Sequence, residues 1–303
     1  MPNKGPCSEP PSELIRLFVE RSGAARENTS PEQVMAQLGE RAIGRCGRGR
    51  EQALQRFLES RNVFSLDISN DPGCDGMISP IGASFREGFK MCLRKNAPRV
   101  RQRFTMAHEA CHTFFYEFVP ELKFRPHETD DTEERLCNLG AAVLLIPSAS
   151  LRKRSLTLPV CLDSLEQLAQ DFGVSLATMF LRLRALRLWE CELSTWHRKT
   201  ADSFVLDRLY GSRLRNWQWL DSSILNQAWV SNDSMFGSDF IYVTRDTDGH
   251  KAFRPVVYNI RRFGSALMAL WGKGIREAKP SRPLFQLRSS QAGTGLVAES
   301  CIS

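Results

Sequence analysis

The chain lacks most of what would send it out of a cell or into a membrane. None of its nine cysteines forms a C-x-x-C pair, and an odd number cannot all pair with one another. That argues for reduced thiols rather than a secreted disulfide framework. Residues 1–12 are polar and proline-containing, with no apolar stretch of the kind a leader needs. The longest apolar run, Ala141 to Pro147 with its neighbours, is far short of the ~20 residues that span a bilayer. Neither a lipidation motif nor an internal repeat is present. The expectation is a cytoplasmic protein without membrane attachment.

What is there has a globular balance. The 303 residues are 42% hydrophobic and 25% charged, which excludes wholesale disorder and allows two or three domains. The net charge of +7 comes from 41 basic and 34 acidic residues. Mixed in this way, it permits an anionic partner without requiring one. The basic, glycine-containing stretch Arg45–Arg50 reads as a solvated loop rather than a nucleic-acid patch.

The chemistry concentrates in Arg103–Tyr116, where His108, Glu109 and His112 spell H-E-x-x-H. Chance produces that pattern roughly once in a hundred chains of this length, so its context matters. Phe104, Ala107, Cys111 and Phe115 fall at i, i+3, i+7 and i+11, a helical apolar stripe, and no Gly or Pro interrupts residues 100–119. On such a helix both imidazoles share a face and can reach one ion. Glu109 follows the first ligand and is placed to act as general base. The expected protein is a zinc-dependent hydrolase, a peptidase.

A catalytic zinc needs a third protein ligand and an open position. The stretch Thr132–Pro147 reads as a buried helix, capped by Thr132, acidic in its first turn and ended by Pro147. Glu134 lies four residues before Asn138 on one face, so Asn138 can hold the Glu134 carboxylate. Glu133 and Glu134 equally suit a helix N-terminus, and the chemistry alone leaves the ligand role open. Tyr116 and His127 are the candidate donors to a tetrahedral oxyanion. Tyr116 also reads as helix packing, and His127 as an ordinary loop residue.

These residues resemble the ImmA/IrrE family of metallopeptidases. Its pattern R-F-T-x-A-H-E-x-x-H, then E-x-x-A-N-x-x-A-A-x-L-L-M-P, is similar to Arg103–His112 followed by Glu134–Pro147, and the basic lead-in with Asn96 is similar too. The resemblance covers about residues 85–190. It implies that His108, His112 and Glu134 hold zinc and that Glu109 is the base. It further implies a helix-turn-helix repressor as the protein substrate, cut once in a stress or mobile-element response. The chain departs from the pattern in having Ala110-Cys111 where the family has Leu-Gly. It also has Gly140 and Val143 where the family has Phe and Glu. A free thiol at Cys111, near zinc, would invite oxidation.

Elsewhere, helices are expected at Glu13–Glu20, after Ser30-Pro31 and at Glu51–Ser60. Strands are expected at Asn62–Ile68, Met77–Ile81 and Gly88–Leu93, with a sheet edge beside the metal helix that an extended substrate can join. Ser164–Leu186 reads as helix, turn, helix, with Gly173 in the turn and Ser175 as cap. If that unit met DNA, Arg182 and Arg184 would contact phosphate. A DNA-binding regulator with a structural or absent metal is therefore the alternative function. DNA is the less favoured partner, because Leu176, Ala177 and Met179 offer no donors to base edges.

The expected fold is α+β. A flexible tail (1–12) precedes a mainly helical, zincin-like peptidase domain with a small sheet (13–160). A helix-turn-helix-like segment (161–190) and a small α+β accessory domain (191–275) follow, then a disordered tail (276–303). Within this scheme residues 190–212 read as a connection and the tryptophans of the accessory domain as core.

Overall fold

The computed structural model describes residues 12–23, 29–46, 50–69, 75–82, 85–119, 131–210, 217–218, 222–231, 233–244 and 251–277. The two expected tails lie almost wholly outside these residues, and His127 lies outside them. The architecture is α+β.

Three helices open the chain: α1 (Glu13–Arg21), α2 (Pro31–Arg45) and α3 (Arg50–Ser60). The start of α2 follows from its sequence. Ser30 Oγ accepts from the Gln33 N–H, and the Gln33 side chain accepts from the Ser30 N–H. Pro31 takes the first helical position, where its missing N–H costs nothing. Next come β1 (Val63–Ser69), β2 (Gly76–Pro80) and β3 (Phe89–Arg94). They form a sheet in the order β1-β3-β2, with β3 parallel to β1 and antiparallel to β2.

The long helix α4 (Arg99–Phe118) packs beneath this sheet, and α5 (Asp131–Leu145) packs on α4. Because α5 begins at Asp131, Thr132 sits in its first turn and is not its cap. Pro147 ends α5 and leads directly into α6 (Ser148–Ser155). Phe18 of α1 stacks on Phe115 of α4 with ring centroids 4.4 Å apart. Met35, Leu136 and Phe180 are fully buried in the same core.

The expected helix-turn-helix is α7 (Leu162–Phe172) and α8 (Leu176–Ala185). Gly173 ends α7 at φ +60°, which a residue with a Cβ rarely adopts, and Ser175 Oγ accepts from the Thr178 N–H. The arginines of α8 do not fit the DNA reading. Arg182 is buried and donates to the Ile146 carbonyl (3.2 Å), to Glu40 (3.0 Å) and to Ser148 Oγ (2.8 Å). It thereby ties α8 to α2 and to the start of α6. Arg184 donates to the Cys191 carbonyl (2.8 Å) and pairs with Glu192 (3.4 Å).

The expected connection at 190–212 is instead largely strand: β4 (Cys191–Thr200) and β5 (Ser203–Tyr210) pair antiparallel. Only the first half of β4 is buried, so its polar second half hides the alternation that would reveal it. They join β6 (Trp217–Gln218), β7 (Met235–Thr244), β8 (Lys251–Phe263) and β9 (Ala266–Gly272) in an antiparallel sheet. Its order is β5-β4-β9-β8-β7-β6, and α9 (Ser222–Val230) packs on it. Trp271 is buried core as expected and half-buried Trp229 packs against that core, while Trp219 and the Trp217 side chain lie outside the described residues; Trp196, in the expected connection, is buried as well.

This sheet is fastened to the helices. Asn259, fully buried, accepts from the Leu162 N–H (2.6 Å) and donates to the Met235 carbonyl (3.3 Å). Arg261 pairs with Asp163 and Glu166 of α7, each at 2.5 Å. Trp189, Leu193 and Leu270 belong to the same apolar core as the helices. No helix among the described residues is long and apolar enough to cross a membrane.

The buried guanidinium gives a test. Arg182→Gln removes the charged partner of Glu40, which keeps only its bonds from Ser148, and takes a donor from the Ile146 carbonyl, so it should lower unfolding stability by about 3–5 kcal/mol. An unchanged urea midpoint would refute the structural assignment of Arg182.

Candidate metal centre

The helix α4 is held from several directions before any metal is considered. Arg101 pairs with Asp75 at its start, and the Gln102 side chain donates to the Arg94 and Lys95 carbonyls, both at 3.0 Å. Arg103 donates to the carbonyls of Phe172 (2.5 Å) and Gly173 (3.1 Å), which end α7. Near the other end, Arg61 donates to Thr113 Oγ1 (2.7 Å), the Thr113 carbonyl (2.8 Å) and Glu117 (2.6 Å). Ala107, Ala110, Cys111 and Phe115 are buried, as the apolar stripe predicts.

On the remaining face, three donors converge. His108 Nε2 lies 3.3 Å from His112 Nε2 and 3.1 Å from Glu134 Oε2, and His112 Nε2 lies 3.6 Å from Glu134 Oε1. All three ligand atoms lie within 4.8 Å of one another. The other nitrogen of each ring is engaged from α5. Asn138 Oδ1 faces His108 Nδ1 at 3.1 Å, and Glu133 Oε1 faces His112 Nδ1 at 2.8 Å. Both partners accept, so both Nδ1 atoms carry the hydrogen and both Nε2 atoms present bare lone pairs. Two lone pairs and a carboxylate aimed at one point repel each other unless a cation lies between them. The donor set therefore fits a metal ion.

The two acids of the α5 first turn divide the work. Glu134 joins the two Nε2 atoms, while Glu133, buried, stands behind His112. Asn138 differs from expectation, since it faces His108 rather than holding the Glu134 carboxylate. Helical spacing placed Asn138 on the correct face, but only packing against α4 decides which side chain it meets. Burial alone would lower the His112 pKa. The hydrogen bond to Glu133 and the nearby Glu109 and Glu134 outweigh it, and the net shift is upward.

Glu109 is buried beside this triad. Burial raises its carboxyl pKa, against the opposing pull of His112 and His108 and a bond from the Ile78 backbone. Ile78 belongs to β2, which pairs only with β3 among the described residues. The Asp75 carbonyl accepts from the Arg94 N–H and the Ile81 N–H donates to the Gly88 carbonyl. By antiparallel alternation, Gly76 and Ile78 therefore turn their main-chain groups to the free edge. Gly76 needs its missing side chain: a Cβ there would strike Thr105 and come within 3.1–3.2 Å of Glu109.

The remaining candidates fare differently. Tyr116 sets its ring against Phe89, with centroids 5.4 Å apart, in line with the packing reading. Cys111 is fully buried, and burial pushes its thiol far above the ordinary range. It faces α5 and α2, since a Cβ on Gly140 would lie 2.6 Å from Cys111 Sγ and 3.0 Å from Met35 Sδ. The expectation of an oxidation-sensitive thiol is thereby corrected, because a buried, protonated thiol is inert.

Residues 84–184 match the peptidase family model described as Peptidase_M78, IrrE N-terminal-like domain. This segment, a third of the chain, contains His108, Glu109, His112 and Glu134, and the match supports the expected resemblance to the ImmA/IrrE family. No curated protein matches the chain. Among solved structures the chain is similar to a Mycobacterium tuberculosis transcriptional regulator. That likeness has 11% identity and a TM-score of 0.46, and covers 86% of this chain and 80% of that one.

The two departures from the family pattern meet in space, the larger residue on α4 facing the smaller one on α5. Gly140→Ala should therefore destabilise the protein by about 1–3 kcal/mol through overpacking. Pairing it with Cys111→Ala should recover part of that loss. Strictly additive unfolding free energies in the four-protein cycle would show that the two sites do not touch.

Proposed function

We propose that the protein is a zinc-dependent metallo-endopeptidase. The observation that carries this reading is the convergence of His108 Nε2, His112 Nε2 and the Glu134 carboxylate, with Glu109 buried alongside. Donors 2.0–2.1 Å from a tetrahedral ion lie about 3.3 Å from one another. The three separations here, 3.1, 3.3 and 3.6 Å, bracket that value. Held by these three residues, zinc would supply a Lewis acid for the scissile carbonyl and would bring the pKa of water toward neutrality.

The chain's own residues do the rest. Asn138 and Glu133 fix the tautomer and orientation of the two imidazoles. The Glu109 carboxylate takes the proton of the attacking water and delivers it to the leaving amine. Its raised pKa suits both halves of that transfer. The free edge of β2, with the main-chain groups of Gly76 and the Ile78 carbonyl, gives an extended substrate main-chain partners beside Glu109, which holds the Ile78 N–H. Pro80, which has no N–H to offer, closes that edge at its far end.

The substrate in this reading is the one that the resemblance to the ImmA/IrrE family implies, a helix-turn-helix repressor cut once in a stress or mobile-element response. Arg182 and Arg184 are bonded inside the protein, so the rival reading as a DNA-binding regulator loses the phosphate contacts it relied on.

Three measurements test the reading. Glu109→Gln should retain one zinc per chain and lose about 10²–10⁴-fold in peptide hydrolysis; parental turnover would remove Glu109 from the mechanism. Glu134→Ala should lower bound zinc in metal analysis, and Asn138→Ala should weaken zinc about 10–100-fold while keeping the fold. Full zinc occupancy in Glu134→Ala would place the third ligand elsewhere. Incubation of the zinc-loaded protein with a repressor encoded beside it should yield one pair of fragments. An intact repressor, with a general peptide still cut, would dismiss the substrate and keep the enzyme.

A further inference from the structure

The side chains on the outer face of β2 bear on which segment its free edge can take. Ile78 is buried against α4, so the residues alternating with it, Met77, Ser79 and Ile81, turn to the opposite face of the sheet. Ile81 follows β2 but stays in the ladder, since its N–H donates to the Gly88 carbonyl. Met77 is 38% exposed and Ile81 54%, with half-buried Ser79 between them.

Single apolar residues scattered on a surface need no explanation. These two stand in one row, on the strand beside the metal centre, and the residue between them is small. The row does not extend onto β3 at this level, where exposed Lys90 pairs with Ser79.

The ladder then fixes where incoming side chains fall. Met77 and Ser79 direct their main-chain groups to β3, as the bonds at Asp75 and Ile81 on either side require. A strand added antiparallel at the free edge therefore meets them in non-bonded pairs, with Cα atoms about 4.5 Å apart and side chains at their closest. Residues of that strand opposite Gly76 and Ile78 face α4 and Glu109. The residue opposite Ser79 faces outward, above a small side chain, with Met77 and Ile81 on its two diagonals.

Resting on the peptidase reading, we propose that Met77, Ser79 and Ile81 form a specificity subsite for a large apolar side chain on the substrate residue opposite Ser79. Met77 and Ile81 are its walls and Ser79 its floor. A Leu, Met or Phe there covers both walls, whereas Ala reaches neither and Asp would lose water against them. Main-chain bonds along the edge hold any extended segment, and side-chain positions of this kind select among them.

The test is digestion of a random dodecapeptide library by the zinc-loaded full chain, with cleavage sites read by mass spectrometry. At one fixed distance from the scissile bond, Leu, Met and Phe should exceed Ala and Asp about three- to tenfold in kcat/KM, as two cross-strand contacts allow. Ser79→Leu fills the notch and should invert the preference toward Ala at that position alone. The pair Met77→Ser, Ile81→Ser removes the walls and should flatten it. Unfolding midpoint and bound zinc, measured on each variant, should stay parental because these side chains lie on the outer face. In a Glu109→Gln background, fluorescence anisotropy with the best-cut peptide and its Ala version should give the same ratio in affinity, without chemistry. A cut library with no such position, or one profile shared by parent and variants, would overturn the subsite and leave the peptidase standing. A library left wholly uncut would overturn both.

Discussion

The structure depends on a pair of hydrogen bonds on the far side of two imidazole rings. Asn138 and Glu133 reach from α5 to the Nδ1 atoms of His108 and His112. Because both accept, each ring must turn its lone pair outward, and the rings can meet only where Glu134 completes them. One helix contributes the rings and the other contributes everything that orients them. The arrangement therefore exists only if α4 and α5 keep a fixed distance and register. The packing beneath the site serves that constraint. Gly140 lets Cys111 in, and one turn further along α5 a side chain on Gly39 of α2 would meet Val143 at 2.9 Å.

The clamps on α4 extend the same constraint outward. Arg101, Arg103 and Arg61 tie it to the sheet, to the end of α7 and to the end of α3. Each uses a charged hydrogen bond to a backbone carbonyl or a carboxylate. Such ties contribute little individually when exposed, but together they leave the helix few ways to slide. A site whose donors must stay within a few tenths of an ångström of one another needs that rigidity.

Much of this was legible in the sequence where the signal was local. The Ser30-Pro31 start of α2, the strand alternation at residues 62–68, the Gly173 turn and the H-E-x-x-H helix each depend on neighbours within a few residues. The pairing of His108 with His112 was legible because helical spacing puts them on one face, whereas Glu134 joined them only through the resemblance to a known family. What spacing could not supply was the partner across the gap. Asn138 was assigned to Glu134 because both stand on α5, whereas the space facing it belongs to His108. Arg182 read as a surface cation at a helix end. Its partners, Glu40 and Ser148, are far away in the chain and meet it only in the folded core. Strand β4 was missed because half of it faces solvent and carries His197, Arg198 and Lys199, which look like a connection.

The buried amide of Asn259 has a further meaning. With Arg261 beside it, this side chain joins the first turn of α7 to the sheet strands, and Trp189, Leu193 and Leu270 extend the helical core into that sheet. Removing the chain beyond residue 190 would open a wide apolar surface to water and strand a donor at Leu162. The half that carries the metal-fitting triad is thus not a portable module. Evolution could replace the outer strands of this sheet freely, but not the inner ones on which the helices lean.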